Sequence, residues 1–118
     1  MKIVEISISN TIHRLYVSRA SYRGGDLAIT VECDYFDEEL GIRCREPFGT
    51  LTVNLVPYSS KAATFVHAKP GLAFVKNWAE NEEWAEALAI AIGGKPTGVS
   101  VLSGYVSVPL WDFSEVEF

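Results

Sequence analysis

Three stretches in the first third of the chain alternate apolar and polar residues with a period of two, and turn signals separate them. Val4, Ile6 and Ile8 alternate with Glu5, Ser7 and Ser9. After the turn-like Ser9-Asn10-Thr11, His13, Leu15 and Val17 alternate with Arg14, Tyr16 and Ser18. After Arg23-Gly24-Gly25-Asp26, Leu27, Ile29, Val31 and Cys33 alternate with Ala28, Thr30 and Glu32. Successive side chains of a strand point to opposite faces, so each stretch specifies a strand with one buried face. Short connections between such strands make hairpins, so this part of the chain is expected to form an antiparallel sheet.

The remaining strand signals are shorter. Gly41 to Glu46 is expected to begin a return strand. Phe48 to Val56 continues with Leu51, Val53 and Leu55 on one face and Thr50, Thr52 and Asn54 on the other. Pro57 stops it, because proline cannot donate to a ladder. Ala63–Ala68 and Leu72–Lys76 are short apolar runs on either side of the turn signal Lys69-Pro70-Gly71, and both are expected as strands. A last strand is expected near Gly104–Leu110, with Val106, Val108 and Leu110 on one face.

One helix is marked over residues 78–92. Trp84, Ala87, Leu88, Ala91 and Ile92 recur with helical spacing. Asn77 or Asn81 is the candidate cap, and Glu80, Glu82, Glu83 and Glu86 crowd the first turns, where the helix dipole favours acids. Gly93-Gly94 supplies the stop and Pro96 prevents continuation. The expected fold class is α+β: a mostly antiparallel β-sheet of five to seven strands with one amphipathic helix packed on one face. The 118 residues, 48% of them hydrophobic, suit a single domain spanning 1–118.

Charge and cysteine usage narrow the function classes. The net charge of -5 argues against a direct, sequence-independent grip on nucleic acid, which needs a basic face. No apolar run reaches the ~20 residues of a membrane span, and Glu5 interrupts any secretory h-region. Cys33 and Cys44 are too few for a disulfide scaffold, so the expected setting is cytoplasmic with reduced thiols. The two thiols would face each other if the segment after Gly41 paired back on the third strand.

No catalytic signature is present, and the expectation is a non-enzyme with no cofactor and no metal. His13, Cys33, Cys44 and His67 form a nominal Cys2His2 set, but no two lie closer than eleven residues, whereas zinc ligands come in short pairs. Gly93–Gly98 superficially resembles a phosphate-binding loop. It follows a helix instead of preceding one, and Pro96 stands where the magnesium-binding hydroxyl belongs. Asn54 is expected to bond a neighbouring loop, and Trp111 with Phe113 either seals an edge or offers an exposed anchor.

Blocked acidity is the feature left over. Residues 32–39 carry five acids and no base, and residues 80–86 carry four, whereas residues 40–79 have a net charge of +4. Such blocks are either solvated surface or a docking face for a basic partner. The candidate partner-binding residues are Glu32, Asp34, Asp37, Glu38, Glu39, Glu80, Glu82, Glu83, Glu86 and Trp111. The partner they would fit is a basic protein surface or a nucleic-acid-binding complex, met by a monomer or homodimer.

A series of blocks runs in order along most of the chain: Gly25-Asp26-Leu27-Ala28-Ile29, Glu46-Pro47-Phe48-Gly49-Thr50-Leu51-Thr52-Val53-Asn54-Leu55, Lys95-Pro96-Thr97-Gly98, Ser103-Gly104-Tyr105-Val106 and Pro109-Leu110-Trp111-Asp112-Phe113. This series resembles the bacterial domain-of-unknown-function family 4313, small proteins carried on plasmids, phages and integrative elements. The resemblance implies a mobile-element context and brings no catalytic residues. In that context the leading expectation is a non-enzymatic antagonist of host defence, of anti-CRISPR or anti-restriction type. A small enzyme or ligand-binding domain with a pocket between helix and sheet, and a self-associating module using a sheet edge, are the alternatives.

Overall fold

A computed structural model describes all 118 residues. Strands β1 (Lys2–Ile8), β2 (Thr11–Ser21), β3 (Leu27–Asp37) and β4 (Ile42–Thr50) form an antiparallel sheet in that order. The period-two pattern predicts its faces correctly. Ile6, Leu15, Val17, Ile29 and Val31 are buried, while Glu5, Arg14 and Ile3 face outward. A bulge between Val31 and Glu32 shifts the register against β4, placing Val31 opposite Gly49 and Glu32 opposite Pro47.

The strand expected over Phe48–Val56 divides at Leu51. The Leu51 N–H donates to Ile29 O of the first sheet at 2.9 Å, and Leu51 O accepts from Lys76 N of the second at 2.9 Å. Thr52–Val53 (β5) then pairs with Leu72–Val75 (β6). Thr52, buried at 3% exposure, completes the crossing, because its Oγ1 accepts the Ile29 N–H at 3.1 Å and shares a hydrogen bond with the Tyr22 hydroxyl at 2.9 Å. A buried backbone donor left without a ladder partner is thereby satisfied. Asn54 bonds its own turn instead of a neighbouring loop, its Oδ1 accepting from Val56 N at 3.2 Å.

The second sheet has the order β5-β6-β8-β7, with β7 at Lys95–Ser103 and β8 at Val106–Asp112. The architecture is therefore α+β with eight strands in two four-stranded antiparallel sheets and two α-helices, in place of one sheet of five to seven strands and one helix. The stretch expected to be a strand at Ala63–Ala68 belongs instead to helix α1 (Ser60–Val66). Ser59 caps it by accepting the Ala62 N–H at 3.1 Å, and Ala62 and Val66 bury at i and i+4. A short apolar run fits either period, and here the serine cap decides it.

The helix expected over 78–92 resolves into a 3-10 turn, Ala79–Asn81, and α2 (Ala85–Ala91). Trp84, Leu88 and Ile92 are buried as expected, but Ala85 and Ala89 share their face, whereas Ala87 and Ala91 are exposed. Gly93, at φ +98°, ends the helix in the left-handed conformation. Lys95-Pro96 opens β7, which bulges between Pro96 and Ser100.

The second sheet lies between two cores. Ala73, Val75, Trp111 and Phe113 join Trp84, Leu88, Ile92 and the inner face of the first sheet in a cluster of 15 buried residues. On the other side, Leu72, Phe74, Val101, Val108 and Leu110 join Leu55, Ala62 and Val66 in a cluster of 8. No helix is long and apolar enough to cross a membrane.

Candidate interaction surface

Strand direction brings one acid of the second block, Glu83, to the end of the first sheet that carries the acidic β3–β4 turn. In an antiparallel sheet the β1–β2 and β3–β4 turns lie at one end, and the β2–β3 turn at the other. The β3–β4 turn carries Asp37, Glu38 and Glu39. The β1–β2 turn receives Glu83, whose Oε2 accepts from the Ser9 hydroxyl at 2.6 Å. Sequence spacing alone carries no sign of this contact.

The β3–β4 hairpin separates at this end from the β1–β2 hairpin, which itself stays paired to Ile8–Thr11. Pairing of β3 with β2 stops at Leu15–Cys33, while pairing with β4 continues to Asp37–Ile42. Asp34 accepts from the Tyr16 hydroxyl at 2.9 Å and stands opposite Arg45, whose guanidinium lies 4.3 Å from the Tyr16 ring centroid. Phe36 stands opposite Arg43. Cross-strand pairing therefore partly neutralises the base of the arm and leaves its tip acidic.

The acids of the arm have different duties. Asp37 builds the turn, because its Oδ1 accepts from the backbone N–H of Glu39 at 3.0 Å and of Leu40 at 3.1 Å. Glu38 and Glu39 are exposed and make no ion pair. Glu32 is half-buried opposite Pro47. Four large apolar side chains accompany the acids in the open: Tyr35, Phe36, Leu40 and Ile42, at 45–68% exposure.

The second block surrounds a small apolar concavity. Ile8, Phe48 and Trp84 line it together with Ala79, Glu80, Glu82 and Glu83. The Trp84 ring meets Phe48 edge-on at 5.1 Å, and its indole N–H donates to Glu80 O at 3.0 Å. Asn81, almost fully buried, donates from Nδ2 to Thr50 O at 2.8 Å and anchors the segment to β4. Glu80 pairs with Lys76, which holds its carboxyl below the usual range. Glu86 accepts from Asn77 Nδ2 at 3.2 Å, and Glu82 is exposed without such a partner.

Trp111 does not belong to this surface. It is 5% exposed, stacks with Phe113 at 6.4 Å and packs in the larger core, so it is unavailable as a partner anchor. The four nominal metal ligands are distributed among separate contacts. His13 lies beside Phe48, His67 pairs with Asp26, Cys33 stands opposite Glu46 and Cys44 opposite Tyr35. The segment after Gly41 does pair back on β3, but the two cysteines are offset along the hairpin and both are free thiols. Burial, reinforced by Glu46, pushes the Cys33 thiol up, away from the reactive thiolate.

Comparison of the chain with family models, curated proteins and solved structures finds no match in any of the three.

Proposed function

We propose that this chain is a non-enzymatic protein-binding domain that docks the acidic end of its first sheet on a basic protein surface. The observation that supports this reading is the arm itself, whose acidic tip carries four exposed apolar side chains at the end of the sheet where Glu83, remote in sequence, also lies. Interfaces combine a buried apolar centre with a polar rim, and acids around apolar groups match a basic groove with apolar walls. Surfaces of that kind line nucleic-acid channels, where they neutralise phosphates. The resemblance to family 4313 supports a mobile-element context, and in that context we assign the domain to antagonism of a CRISPR or restriction complex. In this reading no residue is catalytic, and no cofactor or metal takes part.

The test pairs capture with charge reversal. Complexes retained from host lysate by the wild-type chain are purified, and their affinity is measured at two salt concentrations. Glu38→Lys with Glu39→Lys is expected to weaken binding by about tenfold or more at low salt, chiefly through a slower on-rate. Phe36→Ala is expected to speed dissociation instead, because it removes apolar contact. Charge-reversed protein that binds as tightly as wild type, or an affinity indifferent to salt, would count against the acidic end.

A further inference from the structure

On the inner face of β2, Leu15 and Val17 are fully buried, and the next two positions of that face are Arg19 and Ser21. Both side chains are exposed where the strand leaves the core, so the Arg19 charge is open to solvent and to a ligand. Arg19 stands opposite Ile29, Ser21 opposite Leu27, and both line a cleft of about 290 Å³. The cleft lies at the end of the first sheet opposite the acidic end, closed by the β2–β3 turn on one side and by the segment from Val66 to Leu72 on the other.

The charges around it are mostly matched. His67 Nε2 is 2.8 Å from Asp26 Oδ1, and Lys69 Nζ pairs with Asp112. Arg19 has no carboxylate within ion-pairing distance. The carbonyl end of α1 also approaches the cleft and would oppose an anion. That helix has only seven residues, however, and its last carbonyls are engaged by His67 N, bonded to Ala63 O, and Ala68 N, bonded to Phe65 O. The unmatched charge of the cleft is therefore the guanidinium, with the Ser21 hydroxyl, the His67 ring and the Lys69 ammonium around it.

We propose that this cleft binds a small oxyanion, a phosphate or a carboxylate, held principally by Arg19. A guanidinium presents a planar fork of donors that fits two oxygens of such a group, and the Ser21 hydroxyl adds a further donor. The volume suits a small ion or a terminal group, being at the low end for organic ligands. This inference is independent of the docking surface, which lies at the other end of the sheet.

Amide and arginine side-chain NMR shifts of the full chain, titrated at constant ionic strength, test it. Inorganic phosphate is one arm and succinate the other. The expected result is a saturable shift confined to Arg19, Ser21, Asp26, His67 and Gly71 in at least one arm, and the arm that saturates identifies the oxyanion. Arg19→Gln should weaken the binding by roughly tenfold or more, since it removes a charge-assisted contact. Arg23→Gln, outside the cleft, should leave it unchanged. The spectrum of each variant reports its fold independently of the ligand. Shifts in both arms that rise without saturation or spread over the surface, or binding that survives Arg19→Gln, would overturn the proposal.

Discussion

The two faces of the second sheet support cores of different construction. The larger joins both sheets and α2, and its centre is Trp84, whose ring fits against Gly49 so closely that a Cβ there would lie 2.9 Å from Trp84 Cζ2. The smaller joins α1 to one face of the second sheet and contains only one buried aromatic residue, Phe74. Strand β6 serves both, with all four residues buried: Ala73 and Val75 on one side, Leu72 and Phe74 on the other. The contrast teaches that the larger core holds the two sheets together, whereas the smaller fixes α1 and the connections around it. Loss of packing in the first should unfold the molecule; loss in the second should loosen one side before the whole.

Trp84→Ala should have the largest effect, about 3–5 kcal/mol in chemical denaturation, because it opens the larger core and removes the indole bond to Glu80 O. A loss under about 1 kcal/mol would refute the central place given to this ring. Leu110→Ala in the smaller core should cost about 2–3 kcal/mol. Hydrogen exchange should then accelerate in α1 before it does in β2 and β3; uniform acceleration would erase the distinction between the two cores.

Asn81→Ala should cost about 1–3 kcal/mol, since Thr50 O loses its side-chain donor beside the point where the chain changes sheets. Thermal denaturation of this variant is the measurement, and an unchanged melting temperature would show that the anchor is dispensable.

Asp112 provides a smaller, pH-dependent term. The Lys69 ammonium, with Ser114 bonding in support, lowers its carboxyl pKa to about 2 from the ordinary 3.8. A group lowered on folding stabilises the native state above its unfolded pKa and loses that contribution as pH falls through its folded pKa. Stability should therefore decline between pH 4 and pH 2, and Asp112→Asn should remove that share of the decline. Lys69 is half exposed, so the pair is worth at most about 1 kcal/mol. Equal acid sensitivity in wild type and variant would dismiss the pair as a contributor. The smallest effect is expected for Glu38→Lys with Glu39→Lys, within about 0.5 kcal/mol, because both side chains are exposed and unpaired. Differential scanning calorimetry would detect a larger change, which would mean that the acidic tip takes part in holding the fold.

Much of the first sheet was legible in the sequence, because alternation is a local pattern that the strand geometry reads directly. Leu15, Val17, Ile29 and Val31 fall where their spacing puts them. The second sheet was less legible. Strand β5 has two residues, β6 is buried on both faces and β7 is exposed at most positions, so only β8 keeps a clear alternation, in Val106, Val108 and Leu110. Of the candidate site, the acidic residues were evident in number, but Asp37 is committed to a turn, Asp34 to Tyr16, and Trp111 to the core. Those assignments depend on neighbours far along the chain. Nothing in the sequence joined Arg19, His67 and Lys69 into one group, since their spacing follows no motif and only packing brings them to one cleft.

By itself the sequence determined the mixed strand and helix composition, the faces of β1 to β3, the helix stop at Gly93 and the two blocks of acid. Each depends on residues close in the chain, through side-chain alternation, backbone conformation or local charge. Tertiary structure decided the division into two sheets at Leu51, the helical state of Ser60–Val66, the face of α2 that is buried and the place of Glu83 beside the β1–β2 turn. Each of these depends on which distant groups satisfy a buried donor or fill a core. At Leu51 the decisive partners are Ile29 and Lys76, 22 residues before it and 25 after it, respectively. Local spacing carries no information about such partners, because it is the closing of the core that brings them together.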